Sequence, residues 1–154
     1  MSVRQCHHHG FTVSSVETSL QFYCDALGLE VVRVSERRNL PSYDRMLGFD
    51  DVALTIGILQ HPQTGFILEL VQYDNPQGEK RSTQNTWVGA SHLAFEVDDV
   101  DALHESLTTA GYSCINPPTD VERDGVVVAR GFYALDPDGI SVELFREFAD
   151  VTSR

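Results

Sequence analysis

Four residues carry the most legible chemistry in this sequence: His8, Glu69, His92 and Glu143. Each glutamate is centred in an apolar run, Phe66-Ile67-Leu68-Glu69-Leu70-Val71 or Ile140-Ser141-Val142-Glu143-Leu144-Phe145. In a strand, Phe66, Leu68 and Leu70 point one way and Ile67, Glu69 and Val71 the other. An unpaired carboxylate removed from water is costly, so each glutamate needs a cation, a donor or a proton. On the opening strands His8 shares its face with Gly10 and Thr12, and His92 with Ala90 and Ala94. Those small neighbours leave room for a ligand. Two imidazoles and two carboxylates suit one borderline divalent cation: Zn, Ni, Co, Mn or Fe. In an octahedral shell four protein ligands leave two positions for water or a chelating substrate. The pattern predicts metal ligands at His8, Glu69, His92 and Glu143.

The elements that must position these residues occur twice. His8–Leu20 reads HHGFTVSSVETSL and His92–His104 reads HLAFEVDDVDALH. At a constant offset of 84, His8 meets His92, Phe11 meets Phe95, Val13 meets Val97 and Val16 meets Val100. GFILELVQY, from Gly65, matches GISVELFRE, from Gly139, at an offset of 74, with Glu69 on Glu143. Two matches in the same order indicate an internal duplication. The His-to-Glu interval is 61 residues in the first half and 51 in the second, which places ten extra residues in an expected loop, Asn39–Asp51.

Both halves parse as βαβββ, an α+β fold. Gln5–Val13 alternates like a strand, and Ser14 to Glu17 forms a Ser-x-x-Glu capping box. The next element is a helix that buries Val16, Leu20, Tyr23 and Leu27 and stops at Gly28. Leu29–Val34, Val52–Gln60 and Phe66–Tyr73 are predicted strands, with Pro62–Gly65 as a turn. In the second half Asp98 or Asp99 caps a helix carrying Val100, Leu103, Leu107 and Ala110. Strands come next at Tyr112–Ile115, Val126–Ala134 and Ile140–Phe145, with Asp136–Gly139 as the last turn. This gives one domain over residues 1–154: module one at 4–74, a linker at 75–89 and module two at 90–148.

The other histidines and the cysteines read as structural. His7 and His9 fall on the opposite parity to His8, His61 sits beside Pro62 in a turn, and His104 lies on a helix. Cys6, Cys24 and Cys114 are odd in number and widely spaced with no C-x-x-C pair, which argues against a disulfide framework or a thiolate zinc site. Gly89-Ala90-Ser91-His92-Leu93 lacks the second glycine of a nucleophile elbow. Tyr43, Phe49, Tyr73 and Trp87 are candidates for an apolar substrate pocket. With 11 Lys+Arg against 23 Asp+Glu, the formal charge of −12 argues against nucleic-acid and anionic-membrane partners. No apolar run approaches the roughly 20 residues of a membrane span. The N-terminus lacks the apolar stretch of a signal peptide, so a cytoplasmic protein is expected.

The ordered set HHGFTVSSVETSLQFYCDALGLEVV, ILELVQY, SHLAFEVDDVDAL and ALDPDGISVELF resembles the vicinal oxygen chelate superfamily. That group includes glyoxalase I, methylmalonyl-CoA epimerase, extradiol dioxygenases and bleomycin resistance proteins. The resemblance implies paired βαβββ modules forming a curved mixed sheet around a metal cleft, a homodimer, and a divalent metal on His8, Glu69, His92 and Glu143. It implies a glyoxalase-like lyase or isomerase that binds adjacent substrate oxygens to the metal and stabilises an enolate or enediolate. Glu143 or Glu69, released from the metal, would move the proton. Glyoxalase I places Arg four residues after the first ligand and Asn four after the second, and both help hold glutathione. Here those positions are Thr12 and Tyr73. An Fe(II) extradiol dioxygenase would use His8, His92 and Glu143 alone. A non-catalytic small-molecule binding or resistance protein would need none of the four.

Overall fold

The computed structural model describes residues 2–80 and 84–148; residues 81–83 of the expected linker lie outside them. The chain divides into two units, Met1–Lys80 and Arg81–Arg154, and each builds its own four-stranded mixed sheet. No helix among the described residues is long and apolar enough to cross a membrane.

Module one runs β1 (His9–Thr12), α1 (Val16–Leu20) continuing into a π-helical segment (Gln21–Ala26), β2 (Glu30–Arg37), α2 (Pro41–Leu47), β3 (Ala53–Gln60) and β4 (Ile67–Asn75). The strand order is β1-β4-β3-β2, with β1 parallel to β4 and the other pairs antiparallel. The first strand is shorter than the expected 5–13. The cap of α1 is Ser15, one residue later than the Ser14–Glu17 box. Ser15 has extended backbone and its Oγ accepts from the Thr18 N–H at 3.2 Å. The Val16 N–H donates to Gln72 Oε1 on β4 at 2.9 Å, so the sheet itself satisfies an orphan donor of the helix start.

The wider π turn also moves the buried stripe. Val16, Ser19, Phe22 and Tyr23 are buried, while Leu20 and Leu27, expected inside, are only half-buried. A bond from Leu27 N–H to Phe22 O spans five residues, and that extra residue rotates the end of the helix relative to its start. Gly28, at φ +78°, ends the segment as expected. Leu59, Leu68 and Leu70 are fully buried on the sheet face that α1 covers. Each contributes about 1.5–3 kcal/mol by leaving water.

The expected loop 39–51 contains the helix α2. It has no side-chain cap at Leu40, so its start carries no signal beyond Pro41 at the first turn; Gly48, at φ +75°, closes it. What holds it is tertiary. Tyr43 and Leu47 pack on the buried cluster Val52, Leu54 and Ile56.

Module two runs β5 (His92–Glu96), α3 (Val100–Thr109), β6 (Thr119–Arg123), β7 (Val126–Leu135) and β8 (Ser141–Glu147), in the order β5-β8-β7-β6. Again only the first and last strands pair in parallel. Asp99 caps α3, its carboxylate accepting from the Ala102 N–H at 3.0 Å. Val100 and Leu107 are buried, Leu103 half-buried, and Ala110 exposed, contrary to expectation. The expected strand Tyr112–Ile115 is a single bridge between Cys114 and Ala134. The strand that pairs with β7 is instead β6, past Pro117-Pro118. All five of its residues are exposed, so it shows no apolar alternation. Its legible mark is the Asp124-Gly125 hairpin tip, at φ +53° and +77°. Arg130 ties this edge to the helix, donating to Asp120 at 2.6 Å and to both Asp101 oxygens at 2.8 and 2.9 Å. The hydrogen bonds from Arg130 lower the pKa of Asp101.

β7 lies close against β8 at Gly131. A Cβ there would stand 2.9 Å from Phe145 Cβ and 3.1 Å from the Leu144 carbonyl oxygen. We expect Gly131→Ala to destabilise the protein by about 1–3 kcal/mol through overpacking, read as a lower midpoint in urea unfolding.

Candidate functional site

The parallel ladder of each module brings one histidine and one glutamate together. In module one Gly10 lies opposite Glu69. His8, two residues earlier, projects to the same face, and its Nε2 is 3.4 Å from Glu69 Oε2. A Cβ at Gly10 would lie 3.9 Å from Glu69 Oε2 and 4.0 Å from His8 Cδ2, so the missing side chain keeps the pair clear. The other nitrogen of His8, Nδ1, meets His7 Nδ1 at 2.8 Å, so one ring donates and the other accepts. His7 thus orients His8. His9 turns away, its ring edge-on to Phe11 at 4.6 Å. His61 accepts from the Gln63 and Thr64 N–H groups and caps its turn.

Module two repeats the arrangement. Ala94 lies opposite Glu143, and His92 Nε2 is 3.2 Å from Glu143 Oε2. On the other side of Glu143 stands Tyr133, its cross-strand neighbour on β7. Burial, then the nearness of the Glu143 carboxylate, raises the pKa of the Tyr133 phenol. The Tyr133 ring also meets His92 edge-on at 5.6 Å. In module one the corresponding neighbour of Glu69 is Ile58. His104 packs on Phe132 at 5.0 Å.

Two nearby donors can be an ion pair or adjacent ligands of one cation. The side chains are 39% and 25% exposed in module one and 46% and 31% in module two. Ion pairs this open to solvent contribute at most about 1 kcal/mol, so stability alone does not account for the repetition. Adjacent ligands with bonds of about 2.1 Å stand about 3.0 Å apart at right angles and about 3.4 Å apart in a tetrahedron. Both pairs fall in that range, and an imidazole nitrogen with a carboxylate oxygen suits a first-row dication. The donors fit. Within either module they come as a pair, with no described group of three or more His, Cys, Asp and Glu.

The two site faces differ in what covers them. In module two the face carrying Glu143 opens into a cavity of about 510 Å³, lined among others by Ala94, Tyr133, Phe145, Val121 and Arg123. In module one Ile58, Val71 and Tyr73 share the face of Glu69 and are packed, with Tyr43 and Leu47, on the buried cluster under α2. Of the pocket candidates, Tyr43 accepts a hydrogen bond from Arg37 Nε at 3.3 Å, and Phe49 meets Tyr73 edge-on at 6.5 Å. Trp87 is 53% exposed in the lead-in to module two. Tyr133 is the residue that sequence reasoning missed. Its signal was present: Ala129 and Gly131 share its face, the same small-neighbour pattern that marks His92. Burial raises the thiol pKa of Cys24 and Cys114, with the charge of Asp25 adding at Cys24, so neither is an activated nucleophile.

We expect Gly10→Ala to change stability by less than about 0.5 kcal/mol, since its Cβ meets only ordinary contacts. Gly10→Leu would fill the space between His8 and Glu69 and reduce metal uptake, checked by thermal unfolding and metal analysis of the two variants.

Residues 5–144 match the family model described as Glyoxalase/Bleomycin resistance protein/Dioxygenase superfamily. A probable lactoylglutathione lyase of Synechocystis sp. is 27% identical over 139 residues, covering 90% of this chain and 92% of that protein. A 2-epi-5-epi-valiolone epimerase of Actinomyces sp is 28% identical over 142 residues, covering 90% and 76%. A glyoxalase family protein from Bacillus cereus superposes with a TM-score of 0.82 at 19% identity, covering 96% and 97% of the two chains.

Proposed function

Since the chain belongs to the Glyoxalase/Bleomycin resistance protein/Dioxygenase superfamily, we propose that it is a divalent-metal-dependent lyase or isomerase moving a proton next to a carbonyl of a small-molecule substrate. The observation that carries this reading is the repeated His–Glu contact, 3.4 Å in module one and 3.2 Å in module two, at the same register of the same parallel ladder. One half-site of each kind supplies His8, Glu69, His92 and Glu143, a two-imidazole, two-carboxylate set. The cation, when bound, polarises the carbonyl and stabilises the negative charge that develops beside it.

The protein's own groups do the rest. His8 and His92 hold through Nε2, and His7 keeps the His8 ring turned toward Glu69. A glutamate oxygen takes the proton from the carbon beside the carbonyl and returns it. The cavity beside Glu143 has room for a small molecule and is walled partly by Val121 and Phe145, which exclude water from the reacting carbon. Thr12 and Tyr73 stand where a glutathione-binding glyoxalase I carries Arg and Asn, which supports a substrate other than a glutathione adduct. The epimerase relative is in keeping with that.

Metal analysis of untagged protein tests the reading. We expect about one dication per pair of half-sites in the wild type and a large loss in His92→Ala, Glu69→Gln and Glu143→Gln. Solvent deuterium should also enter small 2-hydroxyketones such as hydroxyacetone, with the rate falling about 10²- to 10⁴-fold when the base is removed. Unchanged metal content in all three variants sinks the proposal. Oxygen uptake with catechols and Fe(II) would identify a dioxygenase instead, and tight ligand binding by metal-free protein without turnover a binding module.

A further inference from the structure

The module-two cavity has its charges sorted by strand. Its two carboxylates, Glu143 and Glu147, both stand on β8, while the guanidinium of Arg123 stands two strands away at the end of β6. Arg130 also borders the cavity, but Asp101 and Asp120 take up its donors. Arg123 has no such partner: among the described residues its side chain makes no hydrogen bond and no ion pair. Alternation along β6 puts Thr119, Val121 and Arg123 on one face, and all three line the cavity. Between the charged ends lie Val121, Ala129, Gly131 and Phe145, which offer apolar surface. Val121 is 51% exposed there, so this wall is open to a ligand.

Resting on the metal-dependent reading above, we propose that Arg123 is a specificity residue that holds an anionic tail of the substrate. The substrate is then elongated: a carbonyl head at His92 and Glu143, an apolar stem over Ala129 and Val121, and a carboxylate or phosphate monoester on Arg123. The ladders set its length. Glu143 faces Tyr133, Gly131 lies two residues along β7, and Arg123 lies four residues along β6 from Thr119, the partner of Gly131. Those six steps of strand span about 20 Å. The Arg123 and Glu143 side chains cover part of that distance, which leaves about 10–15 Å for the ligand. A volume of about 510 Å³ suits a molecule of that size. With a formal charge of −12, most of the surface repels an anion, so a free guanidinium on the cavity wall decides where one can settle. An arginine also binds two oxygens of a carboxylate or phosphate side by side, which orients the tail and, through the stem, the carbonyl.

Calorimetric titration of the full-length protein with decanoate, decyl phosphate and neutral decanamide reads the anchor without turnover. The better anion should bind about 10-fold or more tightly than decanamide, and the tighter of the two names the tail. Arg123→Gln changes an exposed side chain, so it should melt like the wild type, yet bind the anions no better than decanamide. Arg123→Lys should recover part of the difference. In solvent-deuterium exchange, hydroxyacetone extended by an eight-carbon chain ending in carboxylate should show a lower KM than the same chain ending in methyl. Arg123→Gln should bring the two KM values level. A wild type that binds neither anion more tightly than decanamide overturns the anchor and leaves the metal reading standing. So does Arg123→Gln with anion affinity within twofold of wild type. Anion binding that depends on Arg123, in a protein that takes up no dication, upholds the anchor and overturns the metal reading instead.

Discussion

Everything proposed for this protein depends on the parallel pairing of the first and last strands in each module. Among the described residues it is the only parallel contact in either sheet. It places Gly10 opposite Glu69 and Ala94 opposite Glu143, which fixes a histidine two residues upstream on the same face as the carboxylate. A slip of one residue would turn both donors of a pair to opposite faces. The register is protected by burial on the reverse side. Leu68 and Leu70 in module one, and Val142 and Leu144 in module two, are fully buried there, so a slip would expose them. The donor pair is half-exposed and weak as an ion pair, and it is held in place by leucines and valines that never touch it.

The modules share this ladder and diverge around it. Module one uses its longer His-to-Glu interval for α2, which covers the sheet face beyond Glu69 with Tyr43 and Leu47. Module two has no counterpart among the described residues, and the same face stays open as a cavity. The small residues Ala129 and Gly131 deepen it, and Gly131 is required by the closeness of Phe145 as well. A duplicated scaffold thus has one closed face and one open face, with Ile58 across from one glutamate and Tyr133 across from the other.

Most of the architecture was legible from alternation and repetition. The βαβββ pattern, the turns at Gly28, Pro62–Gly65 and Asp136–Gly139, and the boundaries of β3 within a residue came from apolar periodicity and turn chemistry. The misses share one cause: the deciding interaction was not local. Ser15 replaces Ser14 as the cap because the sheet sets where α1 begins, with Gln72 meeting its first N–H. The π segment shifts the buried stripe so that Phe22 packs in and Leu27 does not, and no 3.6-residue periodicity announces it. α2 is uncapped and short, and β6 is an exposed edge strand; neither has a hydrophobic rhythm of its own to read.

The sequence alone determined the identity and pairing of the chemical groups: a histidine near the start and a glutamate near the end of each half, each in or directly before a strand with small or apolar neighbours. That information is one-dimensional, and a period of two suffices to assign faces. Tertiary structure decided which side chain stands across from each glutamate, because cross-strand neighbours depend on hairpin register and lie far apart in the chain. Tyr133 is ten residues from Glu143 and Ile58 eleven from Glu69, and only the folded ladders set one phenol and one aliphatic group against two otherwise equivalent carboxylates.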